Sequence, residues 1–496
     1  MTKCSRRRVL QGIAVLGAAG GGAVLLAACG GASAVASPPT PAPQSAATTS
    51  VSSAAAASPA AVSGSSTASS ATVAISASAT AGSSTVASVQ PVGGTGAVTT
   101  FELLSQDWPP LNTIHKAAIN TFQQANPQAK INLTSVSYGD IPTKIKTSIA
   151  AGVGPDGFFH YGGFWRGVDA AKIMLPLTPQ VFQRSELEQR FYPNLLQSVA
   201  ARNNEVYFLP ALVGIGAGCI IHNVAQLAAA NIDPKGFTSL DAIMSAATSL
   251  TVRQGSDITR AGLLFGHTTT LPYRWVLDQG GKFYDSQTHQ WSWQTPEAAK
   301  AMQWLADAYT KWNVAWQKAP AGVKDGLGEG RASMLMEGPY ALSGYAASFP
   351  ALELQDQPLP GFVQGKSPIY YEPELAGYSL SALLKPAEPK TQVGAAFFRQ
   401  LLSPEGVLTF ANEYSGAILI NGLYTDPRFK TTKFGAVRSW MPDMISKLVL
   451  TPTAADPGFS GQLTKVFAGQ MSIQAALAEM QQLYSAAEDK AQQAMT

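Results

Sequence analysis

The side chains that most often carry enzyme chemistry are present in this sequence, but their spacing does not form a catalytic motif. Five histidines are scattered along the chain without a pair at the helical spacing of metal ligands: His115, His160, His222, His267 and His289. The segment Gly361–Ser367 imitates a phosphate-binding loop, but three residues separate its glycines where four are needed. The sequence also lacks a Gly-x-Ser-x-Gly nucleophile elbow. We therefore expect a protein that is not an enzyme, with no catalytic residues, no metal site and no cofactor.

Cys29 is the residue with the most specific chemical context. It ends the sequence Leu-Ala-Ala-Cys, which follows a basic segment (Ser5–Gln11) and an apolar, glycine-rich stretch (Ile13–Ala28). This order is typical of an export signal and not of a spanning helix, because the apolar run is too short to cross a bilayer. Leu-Ala-Ala-Cys resembles the lipobox of bacterial lipoproteins, and the basic segment resembles a twin-arginine signal.

These two resemblances imply a signal peptide over residues 1–28 and acylation of Cys29. The mature protein would then be anchored to the outer face of the cytoplasmic membrane, in the periplasm or at the cell surface. The alternative is an ordinary secretory signal that contains an accidental cysteine.

The composition predicts a large folded part that follows a long linker. The net charge is +3 and the predicted signal carries three adjacent arginines, so the charge does not favour nucleic acid as a partner. Beyond the signal only Cys29 and Cys219 remain, and with Cys29 acylated no intramolecular disulfide can form. Residues 29–97 are mainly Ser, Ala, Thr, Pro, Gly and Val, without a charged or aromatic side chain, which predicts a disordered tether.

From residue 98 onwards the pattern is that of a folded α/β protein. Runs of apolar residues predict strands at Val98–Leu104, Lys130–Val136 and Gly157–Tyr161. Apolar residues at helical spacing fill the gaps, with one helix that ends before Asn126-Pro127 and another over Ile141–Ile149. Strands that alternate with helices favour a parallel sheet.

Helix start signals continue to the end of the chain. Thr295-Pro296-Glu297 and Ser403-Pro404-Glu405 each combine a capping side chain with proline at the first helical position. Thr238–Asp241 is interpreted as a capping-box variant with Asp at N3. A last amphipathic helix should run from Ser472 to about Gln493, with these residues on its apolar face: Ala476, Met480 and Leu483. This length fits two α/β lobes better than one.

Several segments, in this order, carry a resemblance to a known family. They are Phe122–Pro127, Gly154–Asp156, Ile173–Leu177, Val206–Pro210, Trp275 with Gly280-Gly281, Glu329–Tyr340, Pro358–Pro360 and Leu401–Glu405. Their order and spacing resemble the family 1 extracellular solute-binding proteins, the sugar-binding lipoproteins of ABC importers, similar to maltose-binding protein. Two departures leave the ligand open: His222 stands where the family usually has Tyr, and Tyr340 where it often has Trp.

The resemblance implies an α/β fold of the periplasmic-binding-protein type II, with two lobes, a hinge and the ligand in the cleft between the lobes. By analogy, lobe 1 comprises residues 98–211 and 353–404, and lobe 2 comprises residues 212–352 and 405–496. Ligands of open α/β sheets bind at the carboxyl ends of strands, which agrees with such a cleft. The implied function is that of a monomer that captures a mono- or oligosaccharide and presents it to the transmembrane subunits of an ABC permease.

The candidate contacts follow from what a sugar offers to a protein. Aromatic rings can stack on its apolar C–H faces, and polar side chains can pair with its hydroxyls. Under the resemblance, the rings and acids placed near the cleft are Asp107, Trp108, Tyr161, Trp165, Tyr273, Trp275, Glu337, Tyr340 and Tyr378. Ordinary core packing is the alternative for each ring, and it is the preferred interpretation for Trp291, Trp293 and Trp304.

Three other functions stay open on the sequence alone. They are a binding protein for a non-sugar solute, an exported enzyme whose catalytic groups meet only in the folded chain, and a structural surface lipoprotein. Stabilisation by a sugar would favour the sugar-binding protein over these three functions.

Overall fold

The computed structural model describes residues 97–162, 170–192, 196, 201–202, 205–266, 268–372, 375–435, 438–449 and 458–495. The predicted signal peptide, Cys29 and the predicted tether up to residue 96 lie outside these residues, as does Trp165. Within these ranges, no helix combines the length and the apolar character needed to cross a membrane.

The strands are β1 (Thr99–Gln106), β2 (Ala129–Val136), β3 (Gly157–Tyr161), β4 (Ala201–Arg202), β5 (Glu205–Val206), β6 (Leu209–Val213), β7 (Cys219–Asn223), β8 (Val252–Gln254), β9 (Asp257–Arg260), β10 (Leu264–Phe265), β11 (Tyr284–Asp285), β12 (Gln290–Trp291), β13 (Met334–Glu337), β14 (Leu354–Pro358), β15 (Tyr370–Tyr371), β16 (Leu375–Leu380), β17 (Ala417–Ile418) and β18 (Leu448–Val449). The α-helices are α1 (Pro109–Ala125), α2 (Ile141–Ala150), α3 (Arg184–Arg190), α4 (Val224–Ala229), α5 (Leu240–Leu250), α6 (Leu271–Asp278), α7 (Pro296–Thr310), α8 (Ala341–Ser348), α9 (Pro389–Leu401), α10 (Pro404–Glu413), α11 (Met441–Ser446), α12 (Ser460–Phe467) and α13 (Ile473–Met495).

The larger sheet has six strands in the order β17-β6-β16-β3-β1-β2. β1 pairs in parallel with both β2 and β3, which confirms the parallel arrangement predicted for the first three strands. β16 runs antiparallel to β3 and β6, so the whole sheet is mixed. Successive side chains of β1 face opposite sides of the sheet. Leu103 therefore joins the core that contains Ile114 of α1, whereas Leu104 packs with Ile141 of α2.

The smaller sheet has four strands in the order β10-β13-β7-β14. β10 and β13 are parallel, and β7 runs antiparallel to both β13 and β14. A short parallel pair, β15 with β18, places Tyr370 opposite Leu448. β13 ends at Glu337, directly before the Gly338-Pro339-Tyr340 segment that the sequence analysis selected.

Each sheet has its own hydrophobic core. The first core collects apolar residues between 101 and 215 and between 370 and 448, and the second collects residues between 217 and 371 and between 459 and 484. We call residues 99–215 and 370–449 the large-sheet half, and residues 217–369 and 459–495 the small-sheet half. The chain passes from one half to the other at 215–217, next to Tyr370, and again between Leu448 and Phe459, where residues 450–457 lie outside the described ranges.

These halves differ from the predicted lobes in three places, the shortest of which is residues 212–215, predicted in lobe 2 although Leu212, Val213 and Ile215 lie in the first core. The sequence analysis assigns β14 to lobe 1, but β14 pairs with β7 in the smaller sheet. It assigns residues 405–449 to lobe 2, but Val407, Phe410 and Leu419 lie in the first core, and β17 joins the larger sheet. A helix start signal such as Ser403-Pro404 shows where a helix begins, but it does not show which sheet the helix packs against.

The predicted helix starts are confirmed, with one correction. The side chains of Thr295 and Ser403 each accept a backbone N–H from the first turn of the helix that follows. For α5 the cap is Ser239 rather than Thr238, because the Ser239 hydroxyl accepts a first-turn N–H at 3.1 Å. Asp241 therefore lies at the second helical position and not at N3.

The C-terminal helix α13 has a slightly different apolar face from the predicted one. Ala476 and Met480 are buried as expected, but Leu483 is 39% exposed and Tyr484 is fully buried in its place. Contacts at intervals of four residues put Tyr484, and not Leu483, on the line of Ala476 and Met480.

Candidate functional site

Predicted contacts from both halves meet where β1 and β13 end. Trp108 follows β1, and Tyr340 follows β13 at the start of α8. Their ring centroids lie 6.3 Å apart, with the ring planes at 74°. A third ring, Tyr414, lies 6.0 Å from Trp108 in an edge-to-face arrangement. We call Trp108, Tyr340 and Tyr414 the ring cluster.

The hydroxyl of Tyr340 is fixed by the carboxylate at the end of β13. It donates to Oε1 of Glu337 at 3.0 Å, and the same oxygen accepts the backbone N–H of Gly338 at 2.8 Å. Burial and, after it, the Glu337 carboxylate raise the pKa of Tyr340 well above its usual value. The Tyr340 hydroxyl therefore stays protonated, as a hydrogen-bond donor, at physiological pH.

Ser415 ties the Tyr340 turn to the large-sheet half. Its hydroxyl lies 2.6 Å from the carbonyl oxygen of Pro339, to which it donates, and it accepts the backbone N–H of Ser343 at 2.8 Å. Ser415 is separated from β17 of the larger sheet by Gly416 alone. The turn that carries Tyr340 is thus held by a side chain from the other half.

A side chain has no room at Gly338 and little room at Gly214, two positions beside the Tyr340 ring. A Cβ atom on Gly338 would lie 2.6 Å from Cε1 of Tyr340 and 2.7 Å from the carbonyl oxygen of Gly214. A Cβ atom on Gly214 would lie 3.3 Å from Cδ1 of Tyr340 and 3.7 Å from Oε2 of Glu372. The Tyr340 ring therefore lies against the passage between the halves, and a larger residue at position 338 would displace it.

Two buried carboxylates flank this ring. Glu337 and Glu372 are each 9% exposed, and both contribute to the raised pKa of Tyr340. Oε2 of Glu372 accepts the backbone N–H of Gly216 at 2.8 Å. Carboxylate oxygens accept several hydrogen bonds, so this pair can bind ligand hydroxyls beside the rings. Sequence reasoning missed Glu372, because an acid next to a proline is interpreted as a loop residue.

A second pair of rings lies where β2 and β3 end. Tyr161, the last residue of β3, donates its hydroxyl proton to Gln106, and its ring centroid lies 4.8 Å from that of Tyr138. Tyr138 is 44% exposed and comes shortly after β2. Asp107, an exposed predicted contact, accepts a hydrogen bond from the Asn112 amide at 2.8 Å. Tyr138 could have been predicted in the same way as Trp108, because each aromatic residue lies two positions after the end of a strand.

Tyr273 and Trp275 lie in the second core, and this corrects their placement in the site. Both are on α6, with 3% and 0% of their surface exposed. The Trp275 ring centroid lies 4.8 Å from that of Trp304, and Tyr273 stacks on Tyr371 at 4.9 Å. Aromatic residues close to a glycine pair occur both in a buried helix and at a strand end beside a cleft. Here they belong to a buried helix, so the predicted ligand contacts of Tyr273 and Trp275 were wrong.

Tyr378 is also a core residue. It lies in the middle of β16 with none of its surface exposed, and its hydroxyl is 2.7 Å from Nε2 of His115. Burial raises the pKa of Tyr378 well above its usual value. Trp165, another predicted contact, lies outside the described residues and stays a prediction.

In the part of the chain that the structure describes, no three His, Cys, Asp or Glu side chains gather as a metal ion would need. A groove with a volume of about 450 Å³ lies between α1 and β2 and includes no member of the ring cluster. It is lined by Asn112, Lys116, Ile119, Asn120, Ile131, Leu133 and Ser135.

The sequence pattern of one known family covers most of the folded part. The pattern described as bacterial extracellular solute-binding protein matches residues 108–407, a range that begins at Trp108 and includes Tyr340 and Glu372. No curated protein matches this sequence.

Solved structures of similar fold include proteins determined with sugars bound. The GacH receptor of Streptomyces glaucescens, solved unliganded and with acarbose, has a TM-score of 0.65 and 16% identity, over 79% of this chain and 99% of that one. An ABC substrate-binding protein from Listeria monocytogenes in complex with cycloalternan has a TM-score of 0.64 and 16% identity, over 80% and 99%. The maltose/maltodextrin-binding domain MalE from Bdellovibrio bacteriovorus, bound to maltotriose, has a TM-score of 0.62 and 17% identity, over 78% and 99%. At these identities the likeness establishes the fold, and it confirms the predicted fold class.

Proposed function

Since the chain belongs to the bacterial extracellular solute-binding proteins, we propose that it captures a mono- or oligosaccharide and presents it to an ABC importer. The observation that carries this proposal is the ring cluster, where Trp108 and Tyr414 from one half meet Tyr340 from the other. The partly exposed rings of Trp108 and Tyr340 suit the C–H faces of a sugar, and the carboxylates of Glu337 and Glu372 suit its hydroxyls. Tyr414 is 6% exposed and supports Trp108 from the first core. The sugars bound in the structures of similar fold support a carbohydrate rather than another solute.

Capture requires no covalent chemistry. A ligand between the halves makes contacts with both, so it binds a closed form more tightly than an open one and shifts the population towards closure. Rotation of the halves about the passage at 215–217 is the hinge motion that such a shift would use. A permease can then recognise the closed form by its shape.

The N-terminal part of the proposal concerns attachment. A thioether-linked lipid on Cys29 would hold the protein at the outer face of the membrane, and residues 29–97 would let the folded monomer reach the permease subunits. Mass spectrometry of the mature N-terminal peptide from the membrane fraction should show a lipidated Cys29, and Cys29→Ser should release the protein. An unmodified Cys29 in the membrane fraction, or a different mature N-terminus, would contradict the anchor.

The sugar-binding proposal is tested by thermal unfolding of the full chain with a panel of mono- and oligosaccharides. A sugar present at 100 times its Kd should raise the free energy of unfolding by about 2.7 kcal/mol. Stabilisation by amino acids or peptides and by no sugar would replace the carbohydrate with another solute. Product formation from a panel member would instead favour the exported enzyme.

A further inference from the structure

Helix α6 carries a charged pair that is almost completely buried, Arg274 and Asp278. The exposed fraction of the side chain is 0% for Arg274 and 1% for Asp278, and the two charged groups are 3.8 Å apart. Burial of such ions costs several kcal/mol for each, unless hydrogen bonds satisfy them. Neither residue belongs to the ring cluster, so the pair has another role in the structure.

The guanidinium of Arg274 binds only backbone carbonyl groups in addition to Asp278. Nη1 donates to Ala217 at 2.6 Å, and Nη2 donates to Leu359 at 2.7 Å and to Pro360 at 3.1 Å. Nε donates to Ile369 at 3.1 Å. One side chain therefore fixes backbone in segments that are more than a hundred residues apart in the sequence.

Asp278 completes this arrangement from the acceptor side. Its two oxygens accept the backbone N–H groups of Phe362 at 2.9 Å and of Ile369 at 2.6 Å. The ring of Tyr370 lies 4.7 Å from the guanidinium carbon of Arg274. Ile369 is thus bound through both its N–H and its C=O, immediately before the chain enters β15.

The residues bound by this pair lie at two of the three places where the chain passes between the halves. Ala217 is the first residue of the small-sheet half, and Ile369 is the last before Tyr370 of the first core. At the two ends of the first passage, Ile215 has a φ of 51° and Ala217 a φ of 56°. Both values lie in the left-handed region that non-glycine residues avoid. The backbone of this passage therefore keeps its conformation because surrounding groups hold it.

We propose that Arg274 and Asp278 are positioning residues that anchor these two passages to the small-sheet half. The anchor keeps 217–218 and 359–369 rigid with α6, so at these two passages bending between the halves falls on Gly214–Gly216 and on the chain after Ile369. This gives rotation a fixed axis next to Glu372, which binds the Gly216 amide and faces Tyr340. The role of the anchor in capture rests on the proposed function, but its effect on the backbone does not require a ligand.

The test is hydrogen–deuterium exchange of the full chain without any sugar, resolved by mass spectrometry with fragmentation. In Arg274→Lys, a single ammonium group cannot reach the four carbonyl groups, so the amides of Gly218, Leu359, Phe362 and Ile369 should exchange at least about tenfold faster. The amides of β7 and β13 should keep their wild-type rates. Arg260→Lys is the matched control, because Arg260 lies on β9 in the same half and donates only to Leu250, at 3.4 Å.

A second variant keeps the proposal testable if Arg274→Lys does not fold. Asp278→Asn keeps the size of the side chain but loses one acceptor oxygen, so faster exchange should appear at Phe362 and Ile369. Wild-type rates at these amides would overturn the anchor. Equal acceleration throughout β7 and β13 would also overturn it, because the pair would then only stabilise the half as a whole. The sugar panel can fail without changing either result.

Discussion

Trp108 supplies ring surface to the site and also packs against the first core. It is half-buried, follows β1 instead of lying within it, and contacts both other members of the ring cluster. We expect Trp108→Ala to weaken binding of any sugar that stabilises the wild type by about tenfold or more, because an aromatic contact contributes about 1 kcal/mol beyond the area that it buries. Isothermal titration calorimetry measures this change.

Trp312→Ala is the matched control for Trp108→Ala. Trp312 is also half-buried, but its ring packs on Trp304 in the small-sheet half, with 5.4 Å between the centroids. We expect this control to lower the stability and to leave the affinity unchanged. Equal affinities of Trp108→Ala and wild type would remove Trp108 from the site.

The site residues that could be predicted from the sequence are those that lie at the end of a strand or shortly after it. Trp108, Glu337 and Tyr340 are of this kind, and the structure brings them together. Tyr414 and Glu372 were not found in this way, because Tyr414 follows helix α10 and not a strand, and Glu372 follows β15, a strand of only two residues. No local pattern encodes which remote segment a passage places opposite β13.

Gly338 lies between strand β13 and helix α8. Because it has no side chain, this turn can lie close to the passage at Gly214. The Cβ of alanine at position 338 would need Tyr340 or the Gly214 carbonyl to move. We expect Gly338→Ala to lower the free energy of unfolding by about 1–3 kcal/mol and to weaken sugar binding as well. Denaturant titration and calorimetry measure the two effects.

Gly236→Ala provides the comparison for this substitution. A Cβ atom on Gly236 meets nothing within 4 Å, so the variant should stay close to the wild type in stability and in binding. If Gly338→Ala matched Gly236→Ala in both properties, the close approach at the Tyr340 turn would have no consequence.

The corrected start of α5 leads to a separate prediction. Ser239 accepts a first-turn N–H at 3.1 Å, whereas the exposed Thr238 lies one residue outside the cap. Ser239→Ala should therefore cost about 1 kcal/mol of stability, and Thr238→Ala clearly less. Guanidinium titration of both variants against the wild type decides this. A larger loss in Thr238→Ala would restore the capping box that the sequence suggested.

The sequence predicted the individual strands and helices more accurately than it predicted the half to which each of them belongs. The strands β1, β2 and β3 and the starts of α7 and α10 agree with the predictions, since apolar spacing and caps are properties of a short segment. β14 and residues 405–449 were assigned to the wrong lobe. Their place is decided by pairing with β7 and by burial of Phe410 and Leu419, which involve residues far away in the chain.

The whole molecule consists of two halves with separate cores, which are joined by short passages of the chain. The contacts between the halves therefore decide how easily the halves can separate. Apolar burial stabilises each half separately. The contacts between them include the ring cluster and Phe434, which packs with Cys219 and Ile221. They also include polar groups, such as Ser415 with the Pro339 carbonyl, and Arg438 with Asp356, an ion pair whose side chains are each 2% exposed. Polar contacts of this kind can exchange for water when the halves separate, so the two cores can stay intact during opening.

The large-sheet half also carries two buried histidines that determine how stability depends on pH. His115 in α1 and His160 in β3 are fully buried, and burial lowers the pKa of each to about 3. Above pH 6.5 both are neutral in the folded and in the unfolded chain, so they contribute no pH dependence. Below pH 6.5 both histidines bind a proton in the unfolded chain but stay neutral in the folded chain, so the free energy of unfolding decreases as the pH falls towards 3.

Between pH 7 and pH 5 this difference should lower the free energy of unfolding by about 2 kcal/mol for each of the two histidines. His115→Asn removes one of the two groups, so its stability should fall by about 2 kcal/mol less than that of the wild type over the same interval. The control is His289→Asn, because the side chain of His289 is 48% exposed. Urea titrations at pH 7, 6 and 5 measure the three slopes. Identical slopes for His115→Asn and the wild type would mean that His115 accepts a proton without unfolding, which is incompatible with its position between Tyr378 and the apolar core.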